Sequence, residues 1–189
     1  MRIIAGRLRG RALGPVPEGV RPTADRVRES LFSVLGSVEG LRVLDLCAGT
    51  GALGIEAFSR GAEVVVWVER SRAVARALAA RLADLGLETG ESLRLVVTDA
   101  RTALRRWSES GEPAFDLVFF DPPYASEERD AILAALFASP VVGPHSTVVV
   151  EGARRHPLPA VIGSRVVDER RYGDTVLTWL ARAGTDGGS

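Results

Sequence analysis

The stretch Leu41–Gly61, "LRVLDLCAGTGALGIEAFSRG", carries the reading on which the fold depends. Its first seven residues are apolar apart from Arg42 and Asp45, the pattern of a buried strand. "GTGALG" follows and fits G-x-G-x-x-G with Gly49, Gly51 and Gly54. The remainder reads as a helix that stops at Gly61. A glycine turn between a strand and a helix lets the backbone approach a bound nucleotide.

Working outward, the same alternation recurs. "EVVVWVE" (63–69), "SLRLVVTD" (92–99), "FDLVFFD" (115–121) and "STVVVE" (146–151) read as further buried strands. Between them, Ser71 caps a helix with Val74, Leu78, Leu82 and Leu85 on one face, stopped at Gly86. A second helix carries Leu104 and Trp107, and a third is capped by Ser126. Strands that are apolar throughout and alternate with helices predict an α/β fold with a mostly parallel sheet covered on both faces. "SRVVDER" and "TVLTWLA" are joined too closely for a parallel crossover, so they predict an antiparallel edge hairpin and a total of seven strands.

Upstream, "RIIAG" and "GRALG" predict a small N-terminal β-hairpin extension over residues 1–20, with "PVPEGVRP" as a linker. The main domain is expected over 21–183, opening with a helix capped by Thr23 and stopped by Gly36. A disordered tail is expected over 184–189.

Net charge is zero, but residues 1–28 carry +5 and the rest −5. That asymmetry predicts a basic arm for an anionic partner, with a solvated basic face as the plain alternative. No apolar run reaches the ~20 residues of a membrane span, and no secretory cleavage pattern is present. Cys47 is the single cysteine, which excludes an internal disulfide and fits a reducing compartment. A cytoplasmic protein is therefore expected. His145, read as a loop residue, and His156 are not at ligand spacing from each other or near a cysteine, so no metal is expected.

Which nucleotide the turn serves depends on three acids. Glu69 ends the second strand, where a carboxylate accepts both ribose hydroxyls, and alone this matches an NAD site. Asp45 lies four residues before Gly49. A carboxylate there suits the ammonium of a methionine moiety and is a poor neighbour for pyrophosphate. Asp99, after the third strand, can accept from an adenine amino group beside the Ala100 amide, and can also cap the following helix. Together these favour S-adenosylmethionine over NAD.

The fourth strand runs into Asp121-Pro122-Pro123-Tyr124. Strand ends of such sheets point into the ligand crevice. Two prolines remove backbone donors and leave the Asp121 carboxylate and the Pro122 carbonyl as convergent acceptors, with Tyr124 as a stacking surface. This suits a planar base with an exocyclic amino group. The amine's lone pair is delocalised, so two acceptors and close positioning help it attack a sulfonium methyl group.

Over nearly its whole length the chain resembles the bacterial small-subunit (16S) ribosomal RNA guanine-N2 methyltransferases of the RsmD type. The resemblance rests on "RIIAGRLRGRAL", "RPTADRVRESLF", "VLDLCAGTGALGIEAFSRGA", "DLVFFDPPY" and "RYGDT". It implies a Rossmann-like S-adenosylmethionine-dependent methyltransferase fold. It also implies a guanine amino group in small-subunit rRNA as substrate, presented in an assembled or assembling 30S particle. By position, Asp45, Gly49, Gly51, Glu69, Asp99 and Ala100 would be cofactor residues, with Thr23 a further candidate. Asp121, Pro122, Pro123 and Tyr124 would form the amino-group site. Cys47 stands where the family more often has an aromatic residue and is given no catalytic role. Arg2, Arg7, Arg9, Arg11 and Arg21 are the candidate RNA contacts. Arg7, Arg9 and Arg11 would share one strand face as a phosphate track, and a monomer is expected. "DPPY" alone does not separate guanine from adenine. Adenine-N6 methylation of DNA, an NAD-dependent dehydrogenase and a non-catalytic RNA-binding assembly module stand as alternatives.

Overall fold

The structure, a computed structural model, describes residues 1–19, 23–122 and 126–184. Arg21, Pro123, Tyr124 and the tail beyond Gly184 lie outside the described residues, as does the Ser126 side chain.

Among the described residues, seven strands form one sheet in the order β3-β2-β1-β4-β5-β7-β6. They are β1 (Arg42–Leu46), β2 (Val64–Glu69), β3 (Leu93–Val97), β4 (Phe115–Phe120), β5 (Val142–Ala153), β6 (Ser164–Tyr172) and β7 (Thr175–Arg182). The first five are parallel, while β7 runs antiparallel between β5 and β6. The helices are α1 (Asp25–Leu35), α2 (Ala52–Ser59), α3 (Arg72–Asp84), α4 (Ala100–Ser110) and α5 (Ser126–Ala138).

Strand side chains alternate between faces, and in the central strands β1, β2 and β4 both faces are buried, whereas the edge strand β6 is largely exposed. Val43, Val65, Trp67, Leu117 and Phe119 pack with α1, α2 and α3. Their neighbours Leu44, Val66, Val118 and Phe120 pack with α4 and α5. The chain crosses from β3 at one edge back to β4 beside β1. The sheet therefore changes winding direction between β1 and β4, and a crevice opens above their ends.

Three local expectations change. Ala24, not Thr23, is the N-cap position of α1, and no side chain caps it. Gly36 ends that helix with φ 72°. β5 begins at Val142 rather than Ser146, because the register slips between Phe115 and Leu117 and residues 143–146 bulge. Pro144 is tolerated in that irregular stretch, and His145 lies there inside the strand rather than in a loop.

The N-terminal segment differs more. The chain does double back antiparallel, with Arg2 bridging Ala12, Ile3 donating to the Arg11 carbonyl at 3.0 Å and Leu13 to the Met1 carbonyl at 3.1 Å, but around bends and turns at 5–10 rather than between two regular strands. Ile3 and Leu13 are buried in the same core as α2 and α3, so the segment is part of the main packing. Glu56 on α2 accepts the Ile4 and Ala5 amides at 2.8 and 3.0 Å. Gly6 presses against the Ser59 carbonyl so closely that a Cβ there would sit 1.8 Å away.

Candidate active site

A cavity of about 590 Å³ opens at the crevice between β1 and β4. Asp45, Gly49, Glu69, Ala100, Asp121, Pro122 and Thr23 all line it. Gly49 of the glycine turn and Asp121 at the end of β4, 72 residues apart in the chain, thus face one space.

The turn is built by glycine and by buried carboxylates. Gly49 and Gly51 take φ 52° and 71°, and Gly51 begins α2 as its N-cap. A Cβ on Gly54 would lie 2.3 Å from Trp67 Nε1, so the third glycine permits α2 to approach β2. Trp67 Nε1 in turn donates to the Gly51 carbonyl at 3.2 Å.

Asp45 is almost wholly buried and accepts the Gly54 amide at 2.9 Å. Burial, with the Glu69 charge adding to it, pushes its carboxyl up to about 7 against the pull of that amide. A group held at that point gains from a cationic ligand. Glu69 accepts the Gly49 amide at 2.9 Å on one oxygen and the Ser71 amide at 2.7 Å on the other. It therefore holds the turn in place, and its remaining lone pairs stay suited to hydroxyl donors.

Asp99 is not brought into the cavity. It is exposed and caps α4 by accepting the Thr102 amide at 2.9 Å; the Thr102 hydroxyl and amide together hold its pKa below the usual carboxylate range. Its neighbours Thr98 and Ala100 line the cavity instead. Thr23 does line the cavity, but its hydroxyl donates to Glu151 Oε2 at 2.9 Å, on the β5 side. Cys47 takes φ 68°, in the left-handed region that favours glycine, and burial pushes its thiol up to about 12, so it stays neutral.

The arginines do not form a strand-face track, because residues 5–10 bend and turn. Arg7 stacks on the Phe58 ring at 3.6 Å. Arg11 donates to the Asp84 and Leu85 carbonyls at 2.7 and 2.8 Å, closing the C-terminal end of α3. Arg2 donates to the Gly10 carbonyl at 2.8 Å. Arg9 is exposed.

Sequence reasoning missed Glu151, Arg81 and Arg129. Arg129 is buried, lines the cavity and donates to the His156 and Pro157 carbonyls at 2.8 and 2.9 Å. It thereby holds the loop after β5 against α5. The only sequence signal for Glu151 was its place at the end of an apolar strand.

The profile of the family described as Conserved hypothetical protein 95 matches residues 1–181. The chain is 38% identical to ribosomal RNA small subunit methyltransferase D of Escherichia coli K12, over 85% of this chain and 79% of that protein. It is 35% identical to the Haemophilus influenzae protein of the same name, over 84% and 81% of the two chains. A solved Escherichia coli structure, a candidate methyltransferase called yhhF, superposes with a TM-score of 0.84 and 31% identity, covering 98% of this chain and 99% of the other.

Proposed function

The chain belongs to the ribosomal RNA small subunit methyltransferase D family, and on that premise we propose that it methylates the N2 amino group of one guanine in small-subunit rRNA from S-adenosylmethionine. The observation that carries this reading is the single cavity shared by the glycine turn and Asp121–Pro122.

The residues fit the cofactor by charge. Asp45, Glu69 and Asp121 line the cavity together, a surrounding that favours a cationic ligand and disfavours a pyrophosphate. This favours S-adenosylmethionine over NAD. When bound, S-adenosylmethionine supplies an activated methyl group on a sulfonium centre. Asp45 faces its ammonium, directly or through water, Glu69 accepts its ribose hydroxyls, and the Ala100 amide meets its adenine ring. Gly49 lets the backbone come close, while Gly51, absent from the cavity lining, shapes the turn by making room for Leu78, which a Cβ there would meet at 2.3 Å.

On the other side, Asp121 and the Pro122 carbonyl accept the hydrogens of the target amine. Their hold favours a pyramidal nitrogen whose lone pair points outward, and Asp121 stabilises the positive charge that develops on it. Tyr124 stacks on the base, which must be splayed out of the folded RNA to reach it. The basic N-terminal segment, with Arg2, Arg7, Arg9 and Arg11 exposed, contributes clustered charge for phosphates rather than an aligned row, and Arg21 stays a further candidate from the sequence. We infer that the protein acts as a monomer in the cytoplasm on an assembled or assembling 30S particle.

The test combines binding and transfer. Asp121→Ala should bind S-adenosylhomocysteine within about twofold of the parent and lose transfer of labelled methyl to unmodified small subunits. The parent should label small subunits or their naked rRNA and leave duplex DNA unlabelled. Full activity of the variant, or labelling of duplex DNA alone, contradicts the proposal.

A further inference from the structure

β4 ends at Phe120 beside Val150 of β5, and the next residue on each is an acid. Phe120 is in register with Val150, so Asp121 and Glu151 follow at equivalent positions on neighbouring chains. Adjacent strands lie about 4.8 Å apart. Val148 and Val150 pack on the α4–α5 face and Val149 on the other. Alternation therefore turns Glu151 to the face of Asp45, and Glu151 and Asp121 line the same cavity.

Glu151 is also aimed. Buried Thr23 donates its hydroxyl to Glu151 Oε2 at 2.9 Å across 128 residues of sequence. A carboxylate offers about four acceptor positions, so the Thr23 hydroxyl orients it as one of several donors that it can take. Its location is on the side of β4 away from the glycine turn, which lies after β1. The second acid thus belongs to the half of the cavity that receives the base.

The two purines differ at the edge this half would meet. Guanine presents two adjacent donors, N1–H and the 2-amino group. Adenine presents a lone pair at N1 beside its amino group. A carboxylate only accepts. We propose that Glu151, aimed by Thr23, accepts the guanine N1–H while Asp121 accepts from the 2-amino group, making Glu151 the residue that selects guanine; this rests on the guanine reading of the site. Adenine would set the N1 lone pair against a carboxylate. Sites built for a particular donor reject analogues lacking it far more strongly than apolar pockets reject a missing methylene.

The experiment uses the full chain, S-adenosylmethionine and small subunits lacking the methyl group, with the modified nucleotide mapped by mass spectrometry. A second set of subunits is reconstituted with 2-aminopurine at that nucleotide. It keeps the 2-amino group and replaces N1–H by a lone pair. The parent should prefer guanine by at least ~100-fold in kcat/KM. Glu151→Gln, whose amide can also donate, should lower the guanine value by roughly 30-fold or more and shrink the preference below about tenfold. Both proteins should bind S-adenosylhomocysteine within about twofold. Thr23→Val should fall between them, and Thr23→Ser should recover most of the parent's preference.

Parent-like discrimination in Glu151→Gln overturns the proposal, even if its rate is lower. So does a loss of activity that merely follows weakened S-adenosylhomocysteine binding, which would move Glu151 to the cofactor side. If the parent methylates no guanine in either set, the functional reading fails and this proposal falls with it. Failure of the variant's predicted profile alone leaves that reading standing.

Discussion

Arg81 donates from Nη1 to the Thr50 carbonyl at 2.6 Å, so a buried guanidinium on α3 braces the glycine turn. Its Nη2 reaches the Pro15 carbonyl at 2.7 Å and its Nε the Leu13 carbonyl. One side chain thus ties the N-terminal segment, α3 and the cofactor turn together. Arg81→Met should destabilise the protein by about 2–4 kcal/mol, because three carbonyls lose a charged donor. It should also weaken S-adenosylhomocysteine binding. Urea unfolding and calorimetric titration read both effects, and an unchanged urea midpoint would contradict the bracing role.

Asp45 links stability and binding to pH. Its ordinary value is 3.8 and burial lifts it to about 7 in the folded chain. Between those values the folded protein holds a proton that the unfolded chain has released. This group's contribution to stability is therefore complete below about pH 4 and is lost as pH rises toward 7. A cationic ligand reverses the preference, so cofactor binding should release a proton and tighten from pH 6 to 8. Asp45→Asn should flatten both dependences. Calorimetry in buffers of different ionisation enthalpy counts the proton.

Gly54 tests the packing of α2 on β2. Gly54→Ala places a Cβ 2.3 Å from Trp67 Nε1, on a ring buried in the core. The ring also holds the Gly51 carbonyl, so it cannot swing aside without releasing the turn. A loss of about 1–3 kcal/mol is expected in thermal or urea unfolding, as for other overpacked cores. A neutral or stabilising effect, as alanine gives in an open helix, would show that the contact is loose.

Glu56 anchors the N-terminal segment. It accepts the Ile4 and Ala5 amides, pairs with Arg60 at 2.8 Å and faces fully buried Arg28 at 3.8 Å. Glu56→Ala removes one of the two acids beside buried Arg28, leaving Asp25 at 3.1 Å, and strips the Ile4 and Ala5 amides of their acceptor, so it should remove about 2–4 kcal/mol. Cleavage within residues 1–15 should accelerate under limited proteolysis before the rest of the chain is cut. Uniform protection of that segment would place the anchor elsewhere.

The sheet was legible because both its faces are covered. Runs such as Val64–Val68 stay apolar without alternation, and their glycine and cap residues mark the helices between them. Asp45, Glu69 and Asp121 were legible because strand ends define the crevice. Contacts between distant segments were not. Nothing local announces that Thr23 meets Glu151, or that Arg81 reaches Leu13, Pro15 and Thr50. The arginine-rich segment misled for a related reason. Alternating arginines resemble a strand face, yet Gly6 and Gly10, both at φ 82°, turn the chain. Arg7 and Arg11 then find partners on α2 and α3. Asp99 satisfied two local patterns at once, and the helix cap is the one the structure displays, with the Thr102 amide at 2.9 Å.

The account is tested most directly by the identity of the nucleoside that receives the methyl group. Unmodified small subunits are incubated with the protein and labelled S-adenosylmethionine, digested to nucleosides and resolved by mass spectrometry. The account predicts label in N2-methylguanosine at one position. Label in N6-methyladenosine, or none in any nucleoside while S-adenosylhomocysteine still binds, would contradict it.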